Sequence, residues 1–274
     1  MGYRHYERIT RMIIVGEKIN TSRKIVADAV RNRDKRFILD LAGVQESAGA
    51  SYIDINVGTF INTEPEDMAW VVDSISGNVK IPLSIDSPNP KAVAAAMGIV
   101  KGPVLINSIS LEKERFDNLI PIAQEFKCPV IGLLIEDGNL PADAESRMKV
   151  ADKLVTRLAD KGVAHGSIFI DPMVQPLSTS MNGLNEIFRF TAKFKSSFPG
   201  VHLICGLSNV SFGLPNRKLV NRAFLAAMMT LGMDSAICDP LDKELMGLIA
   251  AQEALLGKDQ FCMNFISLSR SGKI

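Results

Sequence analysis

Six times along this chain an apolar, largely β-branched run stops on a carboxylate or an amide. The first three are Tyr52-Ile53-Asp54-Ile55-Asn56, Leu83-Ser84-Ile85-Asp86 and Val104-Leu105-Ile106-Asn107. Ile168-Phe169-Ile170-Asp171, Leu203-Ile204-Cys205-Gly206-Leu207-Ser208-Asn209 and Ala236-Ile237-Cys238-Asp239 follow. Short continuous apolar runs separated by helical spacing are the pattern of parallel strands buried on both faces. In such folds the loops after the strand C-termini gather at one end, so the polar group closing each run can share one pocket.

Read in order, the chain alternates strand and helix. Strands are expected over 12–16, 52–57, 82–86, 104–107, 129–134, 167–171, 202–207 and 235–238, with a polar turn over 17–22 after the first. Helices are expected over 23–32, 35–48, 64–76, 90–98, 115–126, 142–161, 184–194 and 219–231, and one over 243–256 closes the chain. In 64–76, Met68, Val71, Val72 and Ile75 lie on one helical face, and the acids and proline of Glu64-Pro65-Glu66-Asp67 suit a helix N-terminus. Eight strands each followed by helix in 274 residues predict an α/β fold, the (β/α)8 TIM barrel, as a single domain over 12–274 behind a charged N-terminal extension, 1–11. An open doubly wound sheet is the competing architecture. It would carry a glycine-rich turn after its first strand, where this chain reads Gly16-Glu17-Lys18-Ile19-Asn20.

Composition narrows the function. A formal net charge of +1 and 6% aromatic residues give neither the basic stripe nor the stacking platforms of a nucleic-acid binder. The opening residues lack the apolar core of a signal peptide, and no apolar stretch approaches the roughly 20 residues of a membrane span. Cys128, Cys205, Cys238 and Cys262 form no CxxC pair, which suits reduced structural thiols. The expectation is a cytoplasmic protein bound to neither membrane nor nucleic acid.

The strand endings are rich in Asp and Asn and hold no Lys, Arg or His. A carboxylate can accept two parallel hydrogen bonds from an N–H and an adjacent NH2, the donor pair of guanidine-like heterocycles such as the pyrimidine edge of a pterin or guanine. An Asn amide both donates and accepts, matching a ring carbonyl beside an N–H. Asp86, Asn107 and Asp171 therefore suggest a flat, amide-rich ring. Helix capping is the plain alternative for any one of these residues; it fits Asp171 poorly, because a long loop follows it. No metal is expected, since His5, His165 and His202 have no ligand spacing. No GxSxG elbow supplies a nucleophile.

Gly16-Glu17-Lys18-Ile19-Asn20, Asp54-Ile55-Asn56-Val57-Gly58, Ile85-Asp86-Ser87, Ile106-Asn107-Ser108, Ile170-Asp171-Pro172 and Gly206-Leu207-Ser208-Asn209-Val210-Ser211 together resemble the methyltetrahydrofolate:corrinoid methyltransferases, the pterin-binding enzymes that work with corrinoid proteins. The likeness runs on through Asn216-Arg217 to Asn221-Arg222-Ala223-Phe224-Leu225 and covers nearly the whole chain from Met12. It implies a pterin-binding TIM barrel, commonly a homodimer, that moves a methyl group between N5 of tetrahydrofolate and the cobalt of a corrinoid. By position, the resemblance makes Asp86, Asn107 and Asp171 the holders of the pterin ring and Asn209 the catalytic amide near N5. Arg217 frames the same pocket, and Asp54 and Asn56 lie at its floor. Asp239 has no role by this route, and a helix cap explains it equally well.

Demethylating N5 requires a proton or a strong hydrogen bond there in the transition state, and Asn209 could follow that change without carrying charge. The nucleophile arrives with the corrinoid, so the protein positions and excludes. With no DxHxxG signature in the chain, the cobalamin is expected on a separate corrinoid protein. Two rivals remain at this stage. A dihydropteroate synthase-like enzyme would need cations for its pyrophosphate leaving group, where this chain has Ser208-Asn209-Val210-Ser211 and Cys238-Asp239-Pro240. A non-catalytic folate-binding protein would share the pocket without transfer.

Overall fold

A computed structural model describes residues 11–179 and 182–274. The expected extension over 1–11 lies, except for Arg11, outside the described residues. Eight parallel strands form one sheet: β1 (Ile13–Asn20), β2 (Tyr52–Asn56), β3 (Leu83–Asp86), β4 (Val104–Ile109), β5 (Val130–Leu133), β6 (Ile168–Asp171), β7 (His202–Leu203) and β8 (Ser235–Cys238). Their order is β7-β6-β5-β4-β3-β2-β1-β8. The two ends meet where the Ile237 N–H donates to the Cys205 carbonyl at 2.9 Å and Gly206 bridges Ile237 in parallel sense. That contact closes the sheet into a barrel.

The helices are α1 (Lys24–Arg31), α2 (Lys35–Ser47), α3 (Glu64–Ile75), α4 (Pro90–Met97), α5 (Lys113–Phe126), α6 (Ala144–Asp160), α7 (Gly183–Ser197), α8 (Arg217–Thr230), α9 (Lys243–Leu255) and α10 (Met263–Arg270). All but α10 bury apolar faces, including Phe116, Phe190 and Phe194, on the outward side chains of the strands.

Strand parity explains why runs that read as uniformly apolar end in polar residues. Side chains alternate across a strand, so every second residue faces the barrel interior. The inner set packs as a separate cluster of Val15, Leu105, Ile131, Phe169 and Ile204, with Ile13, Tyr52, Leu133 and Ile237 against it. Two residues further along the same parity stand Asp54, Asn107 and Asp171. The barrel therefore has an apolar floor and a polar upper layer. A one-residue slip would drive those polar groups into the helix-facing core, where each buried Ile or Leu contributes about 1.5–3 kcal/mol.

Three expectations are corrected. β1 runs through Asn20, across the first residues of the expected 17–22 turn. The register against β2 shifts between Gly16 and Ile19, and the Lys18 N–H is taken by Gln45 Oε1 at 3.0 Å, so the strand continues past a bulge. β7 keeps only two residues of the expected 202–207, because the chain turns into a 3-10 segment at Leu207–Asn209. The helix at 243–256 does not close the chain; α10 follows it.

Candidate functional site

Capping does not account for the polar endings. Where a side chain caps a helix N-terminus, the caps are Asp34, Asn89, Asp143 and Asp242. None of Asp54, Asn56, Asp86, Asn107 or Asp171 holds an N-cap position. Asp171 is followed by a loop that reaches α7 only at Gly183.

Four of the expected residues form two neighbouring hydrogen-bonded groups on β2, β3 and β4. Asn56 Nδ2 donates to Asp86 Oδ2 at 2.7 Å, and Asn56 Oδ1 accepts from the Gly58 N–H at 3.1 Å. Asp54 lies below them and is 3% exposed. Its Oδ1 accepts from Ser84 Oγ at 2.7 Å and from Asn107 Nδ2 at 3.2 Å. Asn107 is itself buried beside Asp86 in the β3–β4 register. Burial, reinforced by the nearby Asp86 charge, holds the Asp54 carboxyl well above the usual carboxylate range. Burial also raises Asp86, opposed by the Asn56 hydrogen bond and the Arg115 charge.

Asp171 enters from the opposite wall on β6. Its Oδ1 accepts from the Met173 N–H at 2.7 Å, the backbone turning at Met173 with φ 61° just after Pro172. Burial pushes its carboxyl up to about 6, against the lowering pull of the Met173 and Gly206 N–H groups. Asn209 ends the 3-10 turn after β7 with an exposed side chain. It leans on Gly206, where an added Cβ would stand 3.1 Å from Asn209 Nδ2. Arg217, the first residue of α8, is exposed. Its Nη2 donates to the Ser208 carbonyl at 2.8 Å and its Nε to Ser211 Oγ at 3.1 Å, so it braces the loop that carries Asn209.

Sequence reasoning assigned no role to two further groups. Glu17 lies at the mouth on β1, accepting from Ser208 Oγ at 3.2 Å, its carboxyl raised by burial. Arg115 reaches back from α5 toward Asp86, with a buried Nε that has no hydrogen-bond partner among the described residues. The inner-face parity Ile13, Val15, Glu17 was a signal for the first. Asp239, left open between roles, is not the cap of α9; it pairs with Lys18 Nζ at 2.7 Å.

The site is thus a ring of acceptors and amides. Among the described residues no group of three or more His, Cys, Asp or Glu is arranged to hold a metal ion. Burial raises the Cys205 and Cys238 thiols, so neither offers a thiolate at neutral pH. The pterin-binding enzyme family matches residues 16–239. The chain belongs to that family. Among its relatives, a methylcorrinoid:tetrahydrofolate methyltransferase of Eubacterium limosum is 36% identical over 265 residues, covering 96% of this chain and 98% of the relative. The methionine synthase of Mycobacterium tuberculosis is 26% identical over 82% of this chain, which spans only 20% of that larger protein. In fold, the barrel superposes on the dihydropteroate synthase of Yersinia pestis with a TM-score of 0.67 at 17% identity, covering 91% of this chain and 94% of that one. The Xanthomonas albilineans dihydropteroate synthase gives a TM-score of 0.70 at 16% identity over 90% and 93% of the two chains.

Proposed function

We propose that this pterin-binding barrel is a methyltransferase that moves a methyl group between N5 of tetrahydrofolate and the cobalt of a corrinoid held by a separate protein. The full-length likeness to a methylcorrinoid:tetrahydrofolate methyltransferase carries the reading, and it favours transfer from methylcorrinoid to tetrahydrofolate. The site's chemistry supports it. Asp86, Asn107 and Asp171 offer acceptors to the N–H and NH2 edge of a pterin, over an apolar floor of Tyr52, Leu105 and Phe169. Asn56 steadies Asp86, and Asp54 supports from below. The side-chain amide of Asn209 makes no hydrogen bond among the described residues, which leaves it available to N5. Arg217 orders its loop.

The corrinoid supplies the reacting metal centre when its carrier docks at the mouth. The chain's own residues bind and orient the pterin and hydrogen-bond N5, whose proton passes to water as the methyl group arrives. Exposed Ile61, Leu140, Leu177 and Phe212 lie on loops that follow β2, β5, β6 and β7, the rim such a carrier would cover.

The reading includes a cytoplasmic homodimer whose catalytic unit is the barrel over 12–274. Leu255, Phe261 and Met263, exposed at the C-terminal helices, offer apolar area for self-association, and sedimentation at micromolar concentration tests it. Among the described residues no helix is long and apolar enough to cross a membrane.

The deciding experiment mixes the protein with tetrahydrofolate and methylcobalamin, or a methylated corrinoid protein, and follows the cobalt spectrum. Formation of Co(I) with 5-methyltetrahydrofolate supports the reading. Absence of transfer in both directions with every corrinoid supplied overturns it, and tight tetrahydrofolate binding without transfer would leave a folate-binding protein.

A further inference from the structure

We propose that Asp54 is a positioning residue that fixes which way the Asn107 amide faces, and so makes the pocket wall at Asn107 a hydrogen-bond acceptor. The inference rests on the pterin-binding reading for its ligand but not for its geometry. Asp54 is poorly placed to touch a ligand: it is 3% exposed, and its Oδ1 already accepts two hydrogen bonds. Both come from neighbours in the barrel wall. Ser84 stands directly across the β2–β3 register from Asp54 and is wholly buried, so its single hydroxyl hydrogen is committed. Asn107 lies one strand further on and reaches back with Nδ2.

An amide has two unlike ends. Turned toward the Asp54 oxygen that already accepts the Ser84 hydrogen, it presents its NH2, because an amide oxygen there would face an acceptor across a buried gap. Binding of Nδ2 at Asp54 leaves Asn107 Oδ1 as the end available to a ligand. The neighbouring wall works alike. Asn56 donates to Asp86 Oδ2 and spends its own oxygen on the Gly58 N–H, which leaves Asp86 Oδ1 for the ligand. Asp171 presents its second carboxylate oxygen from across the barrel. Three acceptors then face the bound ring, and a heterocycle edge rich in N–H donors is selected over one that needs a donor from the protein. A buried acceptor left unmatched is what makes such discrimination steep.

The test has a ligand-free arm and a binding arm. In wild-type protein without ligand, the Asn107 side-chain NH2 is expected to give a shifted NMR resonance protected from exchange, and Asp54→Ala, which removes the accepting oxygen, is expected to remove both features. An Asn107 NH2 that exchanges freely in the wild type overturns the proposal, even if the variants fail to fold. In calorimetric titrations with tetrahydrofolate, Asp54→Ala, which leaves the Asn107 NH2 without an acceptor, and Asn107→Asp, which sets two carboxyl oxygens face to face, are each expected to weaken binding by about tenfold or more. The double variant, Asp54→Asn added to Asn107→Asp, restores a donor facing an acceptor with the partners exchanged, and still shows the ligand an oxygen. It is expected within about threefold of wild type, the non-additivity that marks direct coupling. Ser84→Ala, which leaves the Asp54–Asn107 bond in place, is expected to bind normally. Wild-type affinity in a folded Asp54→Ala, or a folded double variant no better than Asn107→Asp alone, overturns the proposal. Should the wild type bind no tetrahydrofolate, the functional reading fails and the NMR arm still decides the role of Asp54.

Discussion

Ser208 Oγ donates to Glu17 Oε1 across 3.2 Å, tying the segment before Asn209 to a β1 residue 191 positions earlier in the chain. With Arg217 bracing Ser208 and Ser211 from the other side, Asn209 projects from a turn held at two points. Removing the amide itself, Asn209→Ala, is expected to slow methyl transfer by about 10²–10³-fold, the range for losing one transition-state hydrogen bond, while tetrahydrofolate affinity stays within a modest factor. Glu17→Ala and Ser208→Ala only loosen the turn and should each slow transfer by about tenfold with similar effect. Stopped-flow cobalt absorbance beside calorimetric binding separates the two classes. Transfer at the wild-type rate in Asn209→Ala would sink this account of N5 activation.

Asp171 should give tetrahydrofolate binding a pH limb. Its carboxyl sits near 6, and only the ionised form can accept at both oxygens. Affinity is therefore expected to fall as pH drops through about 6 and to level off above about 7. Asp171→Asn should flatten that limb, and Asp171→Ala should lose binding. Stability moves the opposite way. The folded group holds its proton to a higher pH than the unfolded one, so ionising it opposes folding from about pH 4 upward. Unfolding titrations should find Asp171→Asn more stable than wild type at pH 8, by on the order of 1–3 kcal/mol, with no gain near pH 4.

Much of this was legible in the sequence because strand parity writes the barrel's layers into every second residue. Leu105 and Asn107, or Phe169 and Asp171, announce floor and rim two positions apart. Helical spacing placed α3 and α4 nearly to the residue. What escaped depended on partners distant in the chain. Glu17 falls in a β1 bulge that local pattern reads as a turn, and it is defined by Ser208. Asp239 looks like a cap until Lys18 is brought to it across the β8–β1 seam. That Asp54 serves Asn107 rather than the pocket itself follows from register across three strands, which no single run reveals.

At the opposite end of the barrel, Asp234 compensates for the brevity of β7. Its Oδ1 accepts from the Leu203 N–H at 2.9 Å, while Oδ2 faces Lys195 Nζ at 3.0 Å and His202 Nδ1 at 3.1 Å. Burial alone would raise this carboxyl, but the His202 hydrogen bond and the Lys195 charge bring it down to about 2. A depressed acid stabilises the fold above its unfolded value, and that contribution disappears as pH falls from about 4 to about 2. The contribution at neutral pH is about 2 kcal/mol. Asp234→Ala, which also leaves the Leu203 N–H and the Lys195 charge without their partner, should destabilise by about 3–5 kcal/mol at pH 7. Chemical denaturation at pH 7 and pH 2.5 checks both parts: the difference from wild type should shrink markedly at the lower pH.

Gly16 is where the β1 bulge becomes a sequence requirement. A Cβ there would stand 2.6 Å from Gln45 Oε1 and 3.2 Å from its Cδ, with Pro240 at 3.4 Å behind. Gln45 is wholly buried and cannot swing away freely. Its Oε1 accepts the Lys18 N–H that the bulge leaves without a strand partner, and its Nε2 donates to the Leu41 carbonyl at 3.3 Å. Gly16→Ala must therefore displace the one group that satisfies the bulge. Overpacking and a stranded buried N–H each cost about 1–3 kcal/mol, so a total loss of roughly 2–4 kcal/mol is expected. Because Glu17 and Lys18 ride on the same bulge, the damage should reach the mouth as well. Gly16→Ala should slow methyl transfer as Glu17→Ala does, whereas Gly43→Ala, inside α2 with open space at its Cβ, should leave transfer unaltered and stabilise by about 0.5–1 kcal/mol. Parallel denaturation and transfer assays on the two alanine variants check the claim, and a Gly16→Ala protein with wild-type stability would show that Gln45 does not fasten the bulge.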